Sequence, residues 1–412
     1  MKLIEEELKR SFLFFWEAAN RKLNSPGYGL VVDNSAKPQM ASIASVGFGL
    51  SALPIGVERQ YITYDQGLQA ARETLKTLLR IPHFEGFLIH YVYLDTGKPK
   101  SGVEYSTIDT AILLNGVITV DQYFSDPEIH ECFQRLYLRV NWSAFVFEKD
   151  GRSLFRMAYN PVKGGAYRQK SDSPWIWQWD MMAEQLSLYF LAAGSDQISA
   201  ETAQALYQGF SRNRGSFGGY DYVYSPGNSL FVYQFSHAWL DFHRFVDATG
   251  FDWAENTKIA TYGNREWCIQ HKDQYPIFNE NIWGVTSCLT PAGYRGQGVA
   301  PNDSLTHPNG HSDGVVAPCA PAGSLPYAPE IVIPALEQLA AQYPKSFGQY
   351  GFTDAIALTE KGLWISPDYI GIDKGITLLM LDNYLHQTTW KLYMAHPMIQ
   401  KALNKLGFQE KK

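Results

Sequence analysis

Apolar residues recur along most of this chain at intervals of about three or four positions, the spacing that places side chains on one face of an α-helix. Strict alternation of apolar and polar residues, typical of strands, is rare. Short extended pieces at residues 87–93 and 153–159 are expected to form hairpins at a rim. Gly47 and Gly49 weaken the helical pattern of one segment. The pattern predicts about twelve helices, at residues 1–22, 42–53, 63–80, 106–123, 127–144, 177–193, 198–212, 228–248, 253–271, 328–342, 374–390 and 395–406.

The segment from Ser173 to Ser195 carries Glu184 within a run of apolar and aromatic residues. Pro174 suits the first turn of a helix and Gly194 suits its end, so the segment predicts a helix buried on most sides. Because burial disfavours the charged form of a carboxyl, Glu184 should have a high pKa and could donate a proton near neutral pH. The alternative is a glutamate that turns to solvent or pairs with an arginine. Helical spacing places Glu184 beside the side chains of Trp177, Met181, Leu188 and Leu191.

The helices follow one another in sequential pairs, without a long charged linker to divide them. This order predicts an all-α fold, an (α/α)6 barrel in which six inner and six outer helices form a single catalytic domain over residues 1–412, with long loops and short hairpins at one rim. A helical protein of two domains is the competing architecture. The most apolar segments, expected to form the inner ring, are 106–123, 177–193, 228–248 and 374–390.

The long segment from Tyr275 to Glu330 is rich in Gly, Pro, Asn and Ser. A connection of this length in a compact domain is usually a lid or a wall of a binding site. Aromatic residues, 14% of the chain, are more abundant than a core requires, and such rings stack on the faces of sugars. Trp177, Trp283 and Tyr294 are candidates for such contacts.

The net charge of -6 argues against nucleic acid or an anionic membrane as a partner. No nucleotide-binding, metalloprotease or serine-hydrolase motif occurs, and no cofactor is predicted.

The N-terminus predicts an amphipathic helix with acids rather than a leader, so a cytoplasmic location is expected, or a periplasmic or secreted one if a leader was removed. The cysteines, expected to be reduced and buried, are Cys132, Cys268, Cys288 and Cys319.

Three acidic stretches are expected to meet. The inner helices of such a barrel run parallel, so residues near their N-termini, namely Glu104, Asp109, Glu184 and Asp373, would share one rim. Asp109 could instead complete a capping box with Ser106, and Asp373 could be a helix cap. An acid and a base about 6.5–9.5 Å apart would fit an inverting glycosidase, whereas about 5–5.5 Å would fit a retaining one.

Two further stretches supply candidate ligands. Tyr233, Gln234, His237 and Asp241 lie within reach of one predicted helix face, although a lone histidine in a helix is more often a satisfied core residue than a catalyst. His307, His311 and Asp313 could bind a metal, but they lie in a loop without fixed helical spacing, so no metal site is predicted.

Taken together, these residues resemble the glycoamylase-like family of bacterial carbohydrate enzymes that includes the endo-β-1,2-glucanases, glycoside hydrolase family 144. The similarity runs in order from about residue 40 to the end of the chain. The stretches that carry it begin with Glu104-Tyr-Ser-Thr-Ile-Asp, Glu184-Gln-Leu-Ser-Leu-Tyr and Ser229-Leu-Phe-Val-Tyr-Gln, and continue with Asn264-Arg-Glu-Trp-Cys, Trp283-Gly-Val-Thr, Asp313-Gly-Val-Val-Ala-Pro, Gly323-Ser-Leu-Pro-Tyr, Tyr350-Gly-Phe-Thr-Asp354 and Gly371-Ile-Asp373-Lys-Gly.

The resemblance implies an (α/α)6 barrel that hydrolyses β-glucan, with β-1,2-linked glucan as the leading substrate and inversion at the anomeric carbon. It implies Glu184 as general acid, Asp373 as general base, and Asp109 with Glu104 as acidic subsite residues, while the residues alone leave the base open between Asp373 and Asp109. The matched stretches add Arg265 and Asp313 as candidate substrate contacts. A cytoplasmic location would favour short imported oligosaccharides over polymer.

The predicted function is therefore a glycoside hydrolase acting on β-linked gluco-oligosaccharides, with an oligosaccharide or polysaccharide as partner. Two other enzymes remain open, a transglycosylase and a hydrolase of another β-glucoside. A non-catalytic sugar-binding toroid is the alternative from a different class. A toroid of the isoprenoid-cyclase type is disfavoured because the chain has no D-D-x-x-D or D-x-D-D run.

Overall fold

The computed structural model describes residues 1–168 and 173–411 and is mostly helical. Most of the helices predicted from periodicity are present, with ends shifted by a few residues. Within the described ranges the α-helices are α1 (Lys2–Glu17), α2 (Ile43–Glu58), α3 (Tyr64–Leu78), α4 (Thr107–Phe124), α5 (Pro127–Leu138), α6 (Leu186–Gly194), α7 (Ala200–Gly209), α8 (Trp253–Gln270), α9 (Cys319–Gly323), α10 (Pro329–Gln342), α11 (Gly371–Leu385), α12 (Thr388–Ala395) and α13 (Pro397–Leu406).

Short antiparallel strands connect the helices and form small sheets. The largest joins β5 to β7 and β7 to β6, with β8 also paired to β7. The strands are β1 (Met40–Ser42), β2 (His83–Phe84), β3 (Phe87–Leu88), β4 (Tyr91–Tyr93), β5 (Tyr105–Ser106), β6 (Val146–Lys149), β7 (Arg152–Tyr159), β8 (Trp175–Gln178), β9 (Arg214–Phe217), β10 (Tyr220–Val223), β11 (Phe245–Val246), β12 (Cys288–Thr290), β13 (Gly293–Arg295), β14 (Gly298–Val299), β15 (Gly310–His311), β16 (Val315–Val316), β17 (Phe347–Gly348), β18 (Gly351–Phe352), β19 (Ile356–Thr359), β20 (Gly362–Ile365) and β21 (Gln409–Glu410).

The predicted helix at 177–193 is wrong in its first half. Residues 175–178 form strand β8, which pairs with β7 through Ile176 opposite Ala158 and Gln178 opposite Arg156. Aromatic and β-branched residues suit a strand, and the free edge of β7 supplies the hydrogen bonds that override the helical spacing. Helix α6 begins only at Leu186 and ends at Gly194 as expected. Glu184 therefore lies in the turn before α6.

The predicted helix at 228–248 is also wrong. This stretch contains two short 3-10 helices, at 230–233 and 236–238, followed by irregular chain. The Ser236 hydroxyl donates to the Glu184 carbonyl at 2.6 Å and accepts from the Ser187 N–H at 2.9 Å. Such contacts offer a serine an alternative to the helical ladder. The last two predicted helices correspond to α11, α12 and α13, because Pro397 starts a new helix capped by His396.

Helices α2 and α4 pack with their backbones in contact. A Cβ placed on Gly116 would lie 2.1 Å from the Gly47 carbonyl oxygen, and one on Gly47 would lie 2.3 Å from the Ile112 carbonyl oxygen. Gly47, one of the two glycines that weakened the helical pattern of α2, therefore permits this close approach rather than ending the helix.

Helices α2, α4, α6 and α11 are buried along nearly their whole length, as their apolar sequences require. Helix α1 packs on α11 and is fixed to it by a buried ion pair between Glu7 and Lys374.

All four cysteines are unpaired and buried, as predicted. In residues 1–168 and 173–411, no helix combines the length and apolar character that a membrane crossing requires.

Candidate active site

A cleft of about 500 Å³ opens where the first turns of the buried helices meet. Ser42 precedes α2, Ser106 precedes α4, Glu184 lies just before α6, and Ile370 precedes α11; all four line the cleft. Of the four acids expected at one rim, Glu104, Asp109 and Glu184 line this cleft, whereas Asp373 does not. The cleft has the size of an ordinary small-ligand site.

Glu104 and Asp109 share this cleft and are bridged by His90. The His90 Nδ1 atom lies 2.7 Å from Glu104 Oε1, and its Nε2 atom lies 3.3 Å from Asp109 Oδ1. Only a doubly protonated imidazole can donate to both carboxylates. Burial alone would lower the pKa of His90, but the charges of Asp109 and Glu104 outweigh it and raise that pKa to about 9. The His90 ring also stacks on Tyr91, with centroids 3.8 Å apart.

Ser106, rather than Asp109, caps helix α4. The Ser106 hydroxyl accepts from the Asp109 N–H at 3.3 Å, so the serine half of the predicted capping box is present. The Asp109 carboxylate faces His90 instead. Glu104 is buried, and its Oε2 atom has no hydrogen-bond partner among the described residues. A buried acceptor without a donor, at the wall of a cleft, suits a ligand hydroxyl.

Glu184 is held at the cleft through its backbone. Its carbonyl accepts from the Ser236 hydroxyl, which ties the turn before α6 to the 3-10 helix at 236–238. Burial raises the pKa of the Glu184 carboxyl to about 7, and the negative charge of Asp109 adds to the effect. A carboxyl with this pKa is partly protonated at neutral pH and can act as a general acid.

Trp177 forms part of the wall and is 47% exposed. Its backbone φ of 30° lies in the left-handed region, which a bulky residue rarely adopts. The pairing of β8 with β7 on both sides of Trp177 holds this conformation. Such strain is found most often where a side chain must be presented to a ligand. Tyr167 approaches it, with ring centroids 6.1 Å apart.

Asp373 lies behind the cleft rather than on its surface. It is buried in the first turn of α11 and lines a small neighbouring cavity together with Asp354. The two carboxyl groups are close enough to share a hydrogen bond, and Asp373 Oδ2 and Asp354 Oδ1 find no other partner in the described part of the chain. Burial and the charge of Asp354 raise the pKa of Asp373 well above its usual range. The pair therefore retains a proton more readily than an isolated aspartate.

Tyr294 lies close to this acid pair and also lines the cleft. Its side chain is 48% exposed. Burial and then the charges of Asp373 and Asp354 raise the pKa of the Tyr294 hydroxyl, so this group lies within their electrostatic field. Tyr294 is therefore a neighbour of both the acid pair and the cleft.

The family model described as "Putative glucoamylase", named Glycoamylase, matches residues 176–397. The chain belongs to the glycoamylase family. The match begins at strand β8 and includes Glu184, Tyr294, Asp354 and Asp373. Glu104, Asp109 and His90 precede it in sequence.

Known relatives of this glycoamylase-family chain act on β-1,2-linked glucose polymers and oligomers. An exo β-1,2-glucooligosaccharide sophorohydrolase (non-reducing end) from Parabacteroides distasonis is 25% identical over 98% of this chain. The chain spans 57% of that relative's length. The solved endo-β-1,2-glucanase of Chitinophaga pinensis, in complex with sophorotriose and glucose, is 27% identical, with a TM-score of 0.84 over 99% of this chain and 98% of the other. A β-1,2-glucanase structure from Parabacteroides distasonis shares the fold, with 24% identity and a TM-score of 0.83 over 98% of this chain and 59% of the other.

Several residues predicted as sugar contacts lie in the core of this glycoamylase-family protein. The Tyr233 hydroxyl donates to Asn228, the Gln234 amide donates to the Ala320 carbonyl, and Trp283 is completely buried. His237 contacts Thr257, and burial lowers the pKa of His237 to about 3. The structure therefore does not bring Tyr233, Gln234 or His237 to the cleft, because the segment at 228–248 is not the predicted helix. Trp283 is also absent from the cleft, because its side chain is packed in the core.

Three other candidates lie away from the cleft. Arg265 donates to the Glu280 carbonyl at 2.9 Å. Asp313 pairs with His311 at 3.2 Å and with Arg295 at 3.8 Å. Asp241 accepts from the backbone of His243. Across residues 1–168 and 173–411, no group of three or more His, Cys, Asp or Glu side chains is arranged to hold a metal ion.

Sequence reasoning missed His90, Asp33 and Asp354. His90 lies between β3 and β4, in one of the predicted extended pieces, and nothing in its neighbourhood signals two carboxylate partners. Asp33 lines the cleft, and burial raises its carboxyl pKa, while the charge of His90 opposes that rise. Asp354 ends the stretch Tyr350-Gly-Phe-Thr-Asp354, and this stretch was the available signal.

Proposed function

We propose that this protein is a glycoside hydrolase that cleaves β-1,2-linked gluco-oligosaccharides with inversion at the anomeric carbon. The observation that carries the proposal is Glu184, a partly buried residue whose carboxyl pKa is raised to about 7, at the wall of a cleft that also holds Glu104 and Asp109. The activities named for the sophorohydrolase and for the endo-β-1,2-glucanase support the choice of linkage.

In the proposed reaction, Glu184 donates its proton to the glycosidic oxygen while the bond from that oxygen to the anomeric carbon breaks. A water oxygen bonds to the anomeric carbon from the opposite face, and the water proton passes to a carboxylate. Asp109 is a weak candidate for this base because the His90 cation neutralises it. We assign the base to Asp373 in its ionised form, which accepts a proton readily because burial and the charge of Asp354 raise its pKa. Since Asp373 lies behind the cleft, the water proton would pass to it through a substrate hydroxyl.

The remaining groups would bind sugar. Glu104 Oε2, which has no partner among the described residues, could accept a hydrogen bond from a sugar hydroxyl, and the partly exposed rings of Trp177 and Tyr294 could stack on sugar faces. We also propose that the buried and amphipathic helices form one (α/α)6 catalytic domain. The meeting of the starts of α2, α4, α6 and α11 at one cleft supports that arrangement.

The pH dependence of kcat/KM offers a direct check of the acid. Glu184 must be protonated to act, so activity is expected to fall as pH rises through about 7, whereas a glutamate at its ordinary value of 4.5 would already be ionised well below neutrality. The profile is measured with a β-1,2-linked oligosaccharide, while circular dichroism at each pH confirms that the fold persists. Activity that stays constant through neutral and mildly alkaline pH would argue against Glu184 as the acid.

Product analysis tests the reaction itself. Incubation with a panel of β-linked gluco-oligosaccharides, followed by NMR, is expected to show cleavage of the β-1,2-linked members and initial release of the α-anomer. Initial release of the β-anomer would show that the enzyme retains the configuration of the anomeric carbon instead of inverting it. Products longer than the substrate would indicate a transglycosylase, and binding without cleavage would indicate a sugar-binding protein.

A further inference from the structure

A second groove adjoins the cleft on the side of the long loop. It encloses about 380 Å³, a volume within the range of small-ligand sites. Phe231 lines both spaces and forms the wall between them. We call this second space the loop groove; its polar lining includes Ser229, Ser287, Asn302, Ser304, His307 and His311.

The loop groove begins close to the proposed proton donor. Phe231 packs on Phe235, with ring centroids 5.0 Å apart, and Phe235 lines the cleft. The next residue, Ser236, donates its hydroxyl to the Glu184 carbonyl. A chain held at Glu184 could therefore continue past Phe231 into the loop groove.

The lining of the loop groove includes hydroxyl, amide and imidazole groups that can form hydrogen bonds with sugar hydroxyls. The Ser287 hydroxyl lies 3.3 Å from the Ser229 hydroxyl and keeps capacity for another hydrogen bond, whereas Ser229 also contacts the Thr286 hydroxyl and the Ser287 N–H. The rings of His307 and His311 stack at 4.5 Å, and His311 is oriented by Asp313 at 3.2 Å. Hydroxyl and imidazole groups can both donate and accept, as a polyhydroxylated ligand requires.

We propose that the loop groove binds further glucose units of a longer β-linked gluco-oligosaccharide whose scissile bond lies at Glu184. This inference rests on the proposed hydrolase function and extends it: the protein should prefer chains longer than those that fill the cleft alone. Phe231 provides the ring face at the junction, and the serine and histidine side chains bind the hydroxyls beyond it.

Gly296 provides a way to fill the loop groove. It lines the groove, and a Cβ added there would meet only the Ser287 hydroxyl, at 3.8 Å. Gly296→Trp would therefore place an indole in the groove without a backbone clash, and Gly296→Ala would leave the space open. Gly227→Trp serves as a second blocking variant because nothing lies within 4 Å of its added Cβ. Leu305→Trp is a control on the same loop, since Leu305 is fully exposed and does not line the groove.

The test compares kcat/KM for a β-1,2-linked trisaccharide and hexasaccharide. The wild type should favour the hexasaccharide, and both blocking variants should lower its kcat/KM by about tenfold, the loss of one or two good contacts, while changing the trisaccharide value by less than about twofold. Gly296→Ala and Leu305→Trp should resemble the wild type. Equal values for both chain lengths in the wild type, or equal losses on both in the blocking variants, would overturn the proposal.

A binding measurement separates this inference from the hydrolase function. If the wild type cleaves neither chain, the proposed function fails. Calorimetric titration with the hexasaccharide then tests whether the loop groove binds sugar. Affinity about tenfold weaker in Gly296→Trp than in Gly296→Ala would support the loop groove. Equal affinity in the two variants would overturn it.

Discussion

Replacing Glu184 by glutamine is expected to lower kcat for a β-1,2-linked gluco-oligosaccharide by about 10²- to 10⁴-fold, the usual contribution of a general acid. Glutamine fills nearly the same space, and the Ser236 hydroxyl would still donate to the backbone carbonyl at position 184, so the fold should persist. Substrate binding should also remain, because the amide removes the transferable proton and leaves the cleft otherwise intact. Initial rates, circular dichroism and calorimetric titration measure these three quantities.

Glu131→Gln is the matched control for this substitution. Glu131 is exposed on α5 and forms only a surface ion pair with Arg135, so the same chemical change there should leave kcat unchanged. If the Glu184→Gln protein retained full activity, Glu184 could not be the general acid. Loss of activity together with loss of the folded state would instead assign this residue a structural role.

Replacing Lys374 by methionine is expected to lower the free energy of unfolding by about 3–5 kcal/mol, the usual cost of leaving a buried charge without its partner. Lys374 Nζ lies 2.6 Å from Glu7 Oε1, and the two side chains are only 5% and 1% exposed. Burial already raises the pKa of Glu7 despite this partner, so the carboxylate has little alternative solvation. Unfolding in urea measures the loss.

The double variant Glu7→Gln/Lys374→Met distinguishes the unpaired charge from lost packing. Glutamine keeps an acceptor for the Phe352 N–H, which donates to Glu7 at 2.9 Å, but carries no charge. The double variant should therefore be more stable than Lys374→Met alone. A single variant with nearly wild-type stability, or a double variant with no recovery, would contradict this account.

Periodicity predicted α1 to α5, α7, α8 and α10 because each carries an apolar face or core that repeats at helical spacing. It failed at 177–193, where strand pairing with β7 determines the local structure. Glu184 was nevertheless placed in an apolar environment, because the surrounding aromatic residues bury it whether they form a helix or a strand. Hydrophobic composition thus predicted the chemistry of Glu184 better than its secondary structure.

The rest of the candidate site depends on contacts between distant parts of the chain. The Asp33 carbonyl accepts from the Gly371 N–H at 2.7 Å, a contact that brings the loop before β1 to the start of α11. His90 meets Asp109 because the His90 N–H donates to the Glu104 carbonyl at 2.9 Å, just before α4. The local sequence around each residue does not indicate which distant segment it will contact. The same limit explains why Tyr233 and His237 were assigned to the site although tertiary packing places them in the core.

The contact between Gly47 and Gly116 fixes how closely α2 and α4 approach each other. Gly116 lies seven positions after Asp109, or about two helical turns along α4. Gly47 lies five positions after Ser42, which also lines the cleft. A methyl group at either glycine would push the two helices apart. The spacing of the helix starts at the cleft is therefore expected to depend on core positions that do not line it.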